Sequence, residues 1–395
     1  MVCASMEKYT LIITEKPDAA QRIASALDAQ GKAKKMEDNG VPYYVAKRDK
    51  EIIVVPALGH LYTVAEERSG RNHYPVFNFK WLPKYAVEKS AKQTRTWLET
   101  ISKLANDADA FIDACDYDIE GSIIGYCLLK YACNNKEGIS KRMKYSTLTK
   151  EELEKSYAEM LPHLDFALIE AGRTRHEVDW FYGVNLSRAL TIAARDWSGK
   201  YATLSTGRVQ GPTLRFLVAR EKAIRCFVPT PYWSIKAEAE IAGSIFEAEY
   251  EKKIIETKME TSAIVDACKG KNGETEKIDV KKFQQMPPMP FDLGALQSEA
   301  YSLFGYTPMR TSNIAQRLYL DALISYPRTS SQKLPPAINY EAILKNLNKV
   351  SEYKKLTAEL LAKTELKPNE GKKEDPAHPA IYPTGNLPER VIDNI

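Results

Sequence analysis

The sequence predicts a multidomain protein that begins with an α/β domain and continues through helical, strand-rich and again helical segments. Three observations predict this order. Apolar β-branched runs alternate with helical stretches near the start, a period-two hairpin pattern follows in the middle, and helical patterns surround the proline-rich junction Pro287–Pro290. A chain of 395 residues has room for two to four domains. We therefore expect domains at 1–148, 149–230, 231–287 and 288–395.

Three runs in the first domain predict strands of a sheet. Tyr9–Thr14 and Ile52–Val55 are apolar and β-branched, and Asp109–Cys115 is a weaker third run. Helical spacing over Ala19–Leu27 and Ile119–Cys133 follows the first and the third run. Strands that alternate with helices favour a parallel, doubly wound sheet, in which functional residues lie beyond the carboxyl ends of the strands.

The middle of the chain changes from helical to strand-like patterns. Thr149 is a predicted helix N-cap with acidic residues in the first turn, and Glu177–Ala194 continues a helical period. Residues 235–241 and 246–250 alternate in polarity around Gly243-Ser244. This alternation predicts a hairpin with one buried face and one solvated face.

The last domain is predicted to be helical around the segment that contains Tyr326. Helical patterns cover 293–304 and 311–323. The Lys- and Glu-rich stretch 341–375 predicts an amphipathic helix followed by a loop from Lys367.

Composition favours a cytoplasmic globular protein. The apolar fraction is 44% and the charged fraction 27%, and no run of residues is long and apolar enough for a membrane span or a signal peptide. The six cysteines form no C-x-x-C pair, so we expect neither a zinc ribbon nor a disulfide framework, and most of the thiols should be buried and inert. The net charge of +4 permits a nucleic-acid partner without indicating one.

Three carboxylates follow the third predicted strand within five residues. Asp116 and Asp118 are two residues apart in extended chain, so their side chains point to one side, and Glu120 begins the next helix. Carboxylates at this density repel one another unless a cation neutralises them, and oxygen-only ligands favour Mg²⁺. Acidic capping of a helix N-terminus is the ordinary alternative. The pattern favours a magnesium site.

Glu15 and Lys16 end the first predicted strand, directly before Pro17. Neighbouring strand ends in a parallel sheet would bring both residues to the same crevice as Asp116. Glu15 is then a fourth carboxylate for the cation, and Lys16 could bind a phosphate or give a proton to a leaving oxygen. Capping of the helix that begins at Pro17 is the simpler interpretation.

Tyr326 precedes Pro327 and Arg328 at the end of an apolar stretch. The proline biases Tyr326 toward extended backbone, and Arg328 can offer a charged fork to a phosphate. A tyrosine can form a covalent intermediate, although it is a weak nucleophile at its ordinary pKa. Taken alone, the triplet is more simply explained as a core tyrosine beside a solvated arginine.

These residues match the motifs of a known family. Glu15-Lys16-Pro17 with Asp116-x-Asp118-x-Glu120-Gly121 resembles a Toprim domain, which topoisomerases, primases and some nucleases share. Three later segments resemble type IA DNA topoisomerases, archaeal sequences most of all: 205–214 (STGRVQGPTL), the tyrosine region 290–329 and the histidine motif 378–384. The motifs follow the family order across nearly the whole chain, and the surroundings of Tyr326 argue against a Toprim nuclease or primase. A reverse gyrase would also carry a helicase-like half, which is not present.

The resemblance implies a padlock-shaped toroid and a Mg²⁺-dependent, ATP-independent reaction that relaxes negatively supercoiled DNA. A Toprim domain and helices form its base, strands form its arch, and the tyrosine domain closes the gate. Tyr326 would attack one strand, hold its 5′ phosphate and release it after another strand has passed. The family places the other roles as follows: Arg328 on the scissile phosphate, Glu15 and Lys16 as proton donors and acceptors, and Asp116, Asp118, Glu120 and Glu15 around Mg²⁺.

The resemblance also implies a groove for single-stranded DNA in a monomeric, nucleoid-associated enzyme. By motif position the groove would contain Arg208, Gln210, Gln297, Gln316, Tyr319 and His378. Arg175 and Asp179 fall where the family places a DNA-binding helix, but an i,i+4 salt bridge accounts for them equally well.

The sequence departs from the family pattern in three ways. Ile119 stands where the acidic motif often has Arg, and Ser330 stands where many relatives have Asp, so a second carboxylate near Tyr326 is not expected. The family also continues beyond the histidine motif, whereas this chain stops at Ile395 with no zinc ribbon. The alternative function is therefore a truncated fragment that binds or cleaves single-stranded DNA without completing relaxation.

Overall fold

The computed structural model describes residues 8–67 and 73–388, which form two compact units. The first unit contains the described residues up to Gly207 and those from Met286 onward, and the second contains Arg208–Gln285. The four-domain division of the sequence stays a prediction.

A six-stranded sheet lies at the centre of the first unit. The strands of this unit are β1 (Tyr9–Thr14), β2 (Lys34–Asp38), β3 (Val41–Lys47), β4 (Glu51–Pro56), β5 (Tyr62–Glu66), β6 (Phe79–Pro83), β7 (Ala108–Asp113) and β8 (Lys141–Arg142). The sheet has the order β2-β3-β4-β1-β7-β8, and β5 and β6 form a separate antiparallel pair. β1 pairs in parallel with β4 and β7, and β8 pairs in parallel with β7, whereas β2 and β3 add an antiparallel edge. The predicted parallel sheet is confirmed at its centre and becomes mixed at one side.

Helices cover both faces of this sheet. In chain order, the helices of the protein are α1 (Pro17–Leu27), α2 (Lys84–Val87), α3 (Thr94–Asn106), α4 (Ile119–Cys127), α5 (Lys150–Ala158), α6 (Phe166–Ser198), α7 (Gln210–Arg225), α8 (Lys258–Cys268), α9 (Leu293–Phe304), α10 (Pro308–Leu320), α11 (Tyr340–Leu347) and α12 (Lys354–Leu361). A π-helical turn, Leu128–Ala132, extends α4, as the helical spacing predicts. None of the helices in the described ranges has the length and apolar character needed to cross a lipid bilayer.

The central strand β1 joins two buried clusters because its side chains alternate between the faces of the sheet. Leu11 belongs to one cluster with Ile123 of α4, and Ile12 belongs to the other with Ile23 of α1. Tyr326 is part of the second cluster. The segment that follows α10 therefore packs on the α1 side of the sheet.

The register aligns the carboxyl ends of the three central strands. Ile13 of β1 is paired with Val55 of β4 and with Asp113 of β7. Residues that follow β1 and β7 consequently meet at one edge of the sheet, where the sequence predicts the site.

The second unit contains α7, α8 and a two-stranded hairpin of β9 (Lys236–Ile241) and β10 (Ser244–Glu249). Ala242 and Gly243 form its turn, both with positive φ, as a type I′ hairpin turn requires. The hairpin prediction is confirmed, but the predicted buried face is wrong, since every residue of both strands is exposed. Alternating polar and apolar side chains show that a strand is amphipathic. Burial of its apolar face also requires a second layer of structure packed on that face, which residues 208–285 do not supply.

Two other predictions need adjustment. The amphipathic helix predicted after residue 341 is two short helices, α11 and α12, separated by a turn region. The predicted helix 311–323 is α10, which begins at Pro308 and ends at Leu320, so the residues just before Tyr326 are not helical. In both regions the helix ends earlier than predicted, at a point where turns replace the helical hydrogen bonds.

Three cysteines of the first unit have buried side chains, as expected for inert thiols. Burial raises the pKa of Cys127 and of Cys133 to about 12, and Cys115 is also buried. Cys226 and Cys268 of the second unit are exposed, and Cys3 lies outside the described residues.

Candidate functional site

The loop between β7 and α4 carries the acidic motif and is held by a buried arginine. The Arg142 side chain is 1% exposed and donates to the backbone carbonyls of Asp113, Cys115 and Asp116 at 3.1, 2.7 and 2.9 Å. Tyr145 donates its hydroxyl to the carbonyl of Ala114 at 2.6 Å. These bonds satisfy carbonyls that a buried loop would otherwise leave unpaired. The loop therefore has a defined conformation before any ligand binds.

The start of α4 fixes the direction of the next carboxylate. Asp118 has extended backbone (φ −126°, ψ −180°) and caps the helix, because its Oδ1 accepts the Gly121 N–H at 2.7 Å. A Cβ on Gly121 would lie 2.2 Å from the carbonyl oxygen of Asp116. Only glycine allows the loop to approach the helix this closely.

Lys16, which follows β1, forms ion pairs with two of the predicted carboxylates. Its Nζ lies 2.7 Å from Asp116 Oδ2 and 3.2 Å from Glu15 Oε1. Burial and the neighbouring Asp116 raise the pKa of Glu15 to about 7, although Lys16 opposes the shift. Burial alone would lower the pKa of Lys16, but Asp116 and Glu15 raise it. One ammonium group therefore leaves the carboxylates with uncompensated negative charge.

Tyr326 is 1% exposed and contacts the acidic loop directly. Its hydroxyl donates to Asp118 Oδ2 at 2.6 Å, and its backbone N–H donates to the Ser146 carbonyl at 2.8 Å. Burial, Asp116 and Asp118 all raise the pKa of this phenol far above its ordinary value, while Arg328 lowers it. The phenol is neutral and already bonded to a carboxylate that could accept its proton.

Two aromatic rings enclose the phenol of Tyr326. The Tyr319 ring meets it edge-on with centroids 5.2 Å apart, and the Tyr319 hydroxyl donates to Asp116 Oδ1 at 3.3 Å. The His378 ring also contacts the Tyr326 ring, with centroids 4.5 Å apart. Two predicted groove residues thus contact the predicted nucleophile.

His378 is buried and holds an unused polar atom. Its Nδ1 lies 3.1 Å from Ser146 Oγ, and its Nε2 is buried with no hydrogen-bond partner among the described residues. Burial lowers the pKa of His378 to about 4, although nearby carboxylates act in the opposite direction. The imidazole is therefore neutral near pH 7 and keeps one nitrogen available for a ligand.

A carboxylate occupies the neighbourhood of Ser330, where the sequence gives no reason to expect one. Asp375 Oδ2 accepts from the Ser330 N–H at 3.2 Å and from the Ser330 hydroxyl at 3.0 Å. Asp375 also accepts the backbone N–H groups of Ala377 and His378 through Oδ1. The acidic group reaches Ser330 from the loop before the histidine motif.

Glu120 faces a different group of side chains. Its Oε2 lies 2.9 Å from His60 Nε2 and 2.8 Å from His176 Nε2, and its Oε1 lies 3.3 Å from Arg175 Nη1. Arg175 Nε is also 4.0 Å from Asp179, which is the i,i+4 pair that the sequence left open. The predicted role of Glu120 as a Mg²⁺ ligand stays a prediction, and the structure gives it other partners.

The other predicted residues are placed but not tested. Gln297 Nε2 donates to Ser312 Oγ at 2.9 Å, and both amide atoms of Gln316 are buried without a hydrogen-bond partner among the described residues. Arg208 and Gln210 are exposed and belong to the second unit. Their roles at DNA stay predictions.

Sequence reasoning missed five residues that position the site. They are His60, Arg142, Ser146, His176 and Asp375. Arg142 follows Lys141 in a short polar run that carries no motif, and the Ser146 and Asp375 contacts join segments far apart in the chain. His60 and His176 were detectable only as histidines near predicted elements. None could have been assigned without the fold.

The oxygen donors near Lys16 fit a hard dication. Glu15, Asp116 and Asp118 provide carboxylate oxygens beyond the carboxyl ends of β1 and β7, and burial together with the neighbouring Asp116 raises the pKa of Glu15. Mg²⁺ prefers such oxygen ligands and keeps several waters. The role of these three residues as Mg²⁺ ligands stays a prediction.

Comparison with known families gives a consistent result over both units. Residues 10–148 match the family model described as Toprim domain, and residues 163–394 match the model described as DNA topoisomerase. DNA topoisomerase 1 of Pyrococcus horikoshii is 49% identical over 96% of this chain and 55% of that protein. DNA topoisomerase 1 of Methanothermobacter thermautotrophicus is 43% identical over 98% of this chain and 53% of that protein. The chain thus spans about half the length of these curated relatives.

A solved structure supports the fold. Full-length topoisomerase I from Thermotoga maritima, in a monoclinic crystal form, matches 95% of this chain and 55% of its own with a TM-score of 0.61. The sequence identity is 24%, so this likeness concerns the fold alone. The predicted fold class, a Toprim domain followed by topoisomerase domains, and the resemblance to archaeal relatives are confirmed.

Proposed function

The chain belongs to the DNA topoisomerase family, and from this premise we propose that it cleaves and rejoins one strand of DNA through Tyr326 in a Mg²⁺-dependent, ATP-independent type IA reaction. The hydrogen bond of 2.6 Å from Tyr326 to Asp118 carries the proposal. It joins the predicted nucleophile to the acidic loop, although the two residues are 208 positions apart in the chain. The partner of this buried hydroxyl is a carboxylate, which could also accept the phenolic proton.

The cleavage step follows from the contacts around the phenol. Tyr326 Oη forms a bond to phosphorus while the bond from phosphorus to the 3′ oxygen breaks, and the phenolic proton passes to Asp118. Lys16 gives a proton to the departing 3′ oxygen, and Arg328 stabilises the charge on the phosphate. The product is a 5′-phosphotyrosine and a free 3′ hydroxyl. One phosphoester replaces another, so the reverse step needs no ATP.

Glu15, Asp116 and Asp118 are the residues that would hold Mg²⁺. When bound, the ion would coordinate oxygens of the DNA backbone and orient the scissile phosphate. The chain's own groups supply the proton transfers, with Lys16 fixed between Glu15 and Asp116. Lys16 would act on the 3′ oxygen, whereas Asp118 would both contact the ion and accept the Tyr326 proton.

DNA must reach a buried nucleophile. Because Tyr326 is enclosed by Tyr319 and His378, a DNA backbone can enter only when the segment around Tyr326 moves away from the acidic loop. The unpaired His378 Nε2 and the buried amide of Gln316 are then free to bind the incoming strand. We propose single-stranded segments of negatively supercoiled, nucleoid-associated DNA in the cytoplasm as the substrate, bound with the steep salt dependence of phosphate contacts.

A second candidate function is single-strand binding and cleavage without relaxation. The observation that favours it is that the buried Gln316 amide and His378 Nε2, which lack a hydrogen-bond partner among the described residues, could hold a single strand whether or not strands are passed. Strand passage requires the broken ends to separate and rejoin in order. A chain that cleaves and reseals without controlling this separation would form the covalent complex and leave the linking number unchanged.

One assay distinguishes these functions. The chain is incubated with negatively supercoiled plasmid and Mg²⁺, and half of each reaction is denatured with detergent. Type IA activity gives relaxed topoisomers and protein attached to a 5′ end, whereas the second function gives attachment alone. Tyr326→Phe should abolish attachment, and Tyr340→Phe, a matched change away from the site, should preserve it. Attachment that survives in Tyr326→Phe would refute the assignment of the nucleophile.

A further inference from the structure

A second cluster of metal-ligating side chains lies beside the acidic loop. His60 follows β4, Glu120 lies in the first turn of α4, and His176 lies on α6. One ligand atom from each, two imidazole nitrogens and a carboxylate oxygen, lies within 4.8 Å of the others. The described residues contain this single group of its kind. Its composition differs from the carboxylate site around Lys16, because it includes nitrogen donors.

The geometry is close to that of a metal site in its empty form. Both Nε2 atoms lie within 3 Å of the same Glu120 oxygen, at 2.9 Å for His60 and 2.8 Å for His176. Tetrahedral zinc with bonds of about 2.0–2.1 Å separates its ligand atoms by roughly 3.3 Å. The partly exposed side chains would therefore need to rotate only until the two Nε2 atoms lie about half an ångström farther from the Glu120 oxygen.

The second oxygen of Glu120 is already used by a different partner. Arg175 Nη1 lies 3.3 Å from Oε1, which leaves Oε2 directed at the two imidazoles. An ion pair that orients a ligating carboxylate in this way resembles the outer contacts of metal sites. The His176 ring also packs against the Trp81 ring, with centroids 5.8 Å apart. The three ligand atoms are therefore held by their neighbours.

We propose that His60, Glu120 and His176 form a binding site for a transition-metal dication of the Zn²⁺ class, separate from Mg²⁺. Two imidazoles and one carboxylate suit Zn²⁺ or Co²⁺, whereas Mg²⁺ prefers oxygen ligands alone. The ion would join the loop after β4 to the first turn of α4 and to α6. It would stabilise the junction between the Toprim sheet and the long helix that follows it, independently of strand cleavage.

Cobalt absorption provides a direct test. The purified chain is stripped with chelator and titrated with Co²⁺ in excess Mg²⁺, and the visible d–d bands are recorded. We expect one equivalent of Co²⁺ to bind, to resist Mg²⁺ and to be displaced by Zn²⁺. In His60→Ala and in His176→Ala the affinity should fall at least about tenfold. His73→Ala, which removes a histidine outside the cluster, should bind like the unmodified chain.

Two controls keep the test decisive. Far-UV circular dichroism checks that each variant is folded, and His176→Gln repeats the ligand loss with a side chain of similar size. Tyr326→Phe should bind Co²⁺ normally, so that failure of the strand-cleavage proposal is distinguishable from failure of this one. The proposal is overturned if the unmodified chain shows no d–d bands in excess Mg²⁺, or if folded His60→Ala and His176→Ala bind Co²⁺ as tightly as it does.

Discussion

The two ends of the acidic motif have opposite surroundings, although only a few residues separate them. Asp116 and Asp118 face Lys16 and Tyr326 in a largely buried site. Glu120 has a side chain that is 29% exposed and faces two histidines and an arginine. One end of the motif contacts the proposed nucleophile, and the other belongs to the proposed second metal site.

The difference arises from the backbone at Asp118. Asp118 itself has extended backbone, and its side chain and that of Asp116 both reach the site of Lys16 and Tyr326. From Ile119 the chain is helical, and each residue turns by about 100° around the helix axis. Glu120 therefore points toward α6 instead of toward Lys16. A spacing that looks uniform in the sequence divides into two sites because a helix begins inside it.

The largest expected effect compares the same chemical change at both ends of the motif. Asp118→Asn should lower the rate of covalent attachment to DNA by about 10²–10⁴, because the amide cannot accept the Tyr326 proton. Glu120→Gln should lower it less than about tenfold, since Glu120 does not contact Tyr326. Single-turnover trapping of the protein on a radiolabelled oligonucleotide measures both. Equal losses in the two variants would show that the motif acts as one site.

A smaller effect concerns the glycine on which the shape of the loop depends. Gly121→Ala places a methyl group 2.2 Å from the Asp116 carbonyl oxygen, so the loop or the helix must shift. We expect the free energy of unfolding to fall by about 1–3 kcal/mol. Gly138→Ala is the matched control, since nothing lies within 4 Å of its added methyl group. Urea unfolding measures both, and an unchanged midpoint in Gly121→Ala would contradict the close approach.

The smallest effect is a pH dependence of Mg²⁺ binding. In the folded, metal-free protein the pKa of Glu15 is raised from its ordinary 4.5 to about 7. The neutral carboxyl group therefore contributes to the stability of the fold at low pH, and this contribution is lost as the pH rises through 7. Mg²⁺ needs the ionised carboxylate, so its affinity should rise by at most about tenfold per pH unit up to pH 7 and then level off. Isothermal titration between pH 6 and 8 measures this, and Glu15→Gln should flatten the profile. A profile that stays equally steep in Glu15→Gln would assign the proton to another group.

Much of the secondary structure in both units could be predicted because its signals are local. The run Tyr9–Thr14 is β1, the helix predicted at Leu293–Phe304 is α9, and the turn at Gly243 joins β9 to β10. In each case side-chain periodicity and turn residues act within the segment itself. The strands β2, β5 and β6 were not predicted, because each has only 5 residues and is less apolar than β1.

The site could be predicted only in part because several of its contacts are long-range. Glu15, Lys16 and Asp116 meet as expected, since parallel strand ends share one edge of the sheet, and Tyr326 reaches Asp118 from the segment after α10. Motif order could not show that Arg142 would hold the acidic loop or that Asp375 would reach Ser330. Those contacts depend on how distant loops pack. The hairpin was mispredicted for the same reason, because burial of one of its faces depends on segments outside it.

The most direct test of the central claim identifies the residue that becomes attached to DNA. The chain is incubated with a single-stranded oligonucleotide and Mg²⁺, denatured, digested with protease and nuclease, and analysed by mass spectrometry. Our account predicts a phosphonucleotide on Tyr326, linked through the 5′ phosphate of the cleaved strand, and its loss in Asp118→Asn. Attachment at another residue, or through a 3′ phosphate, would contradict it.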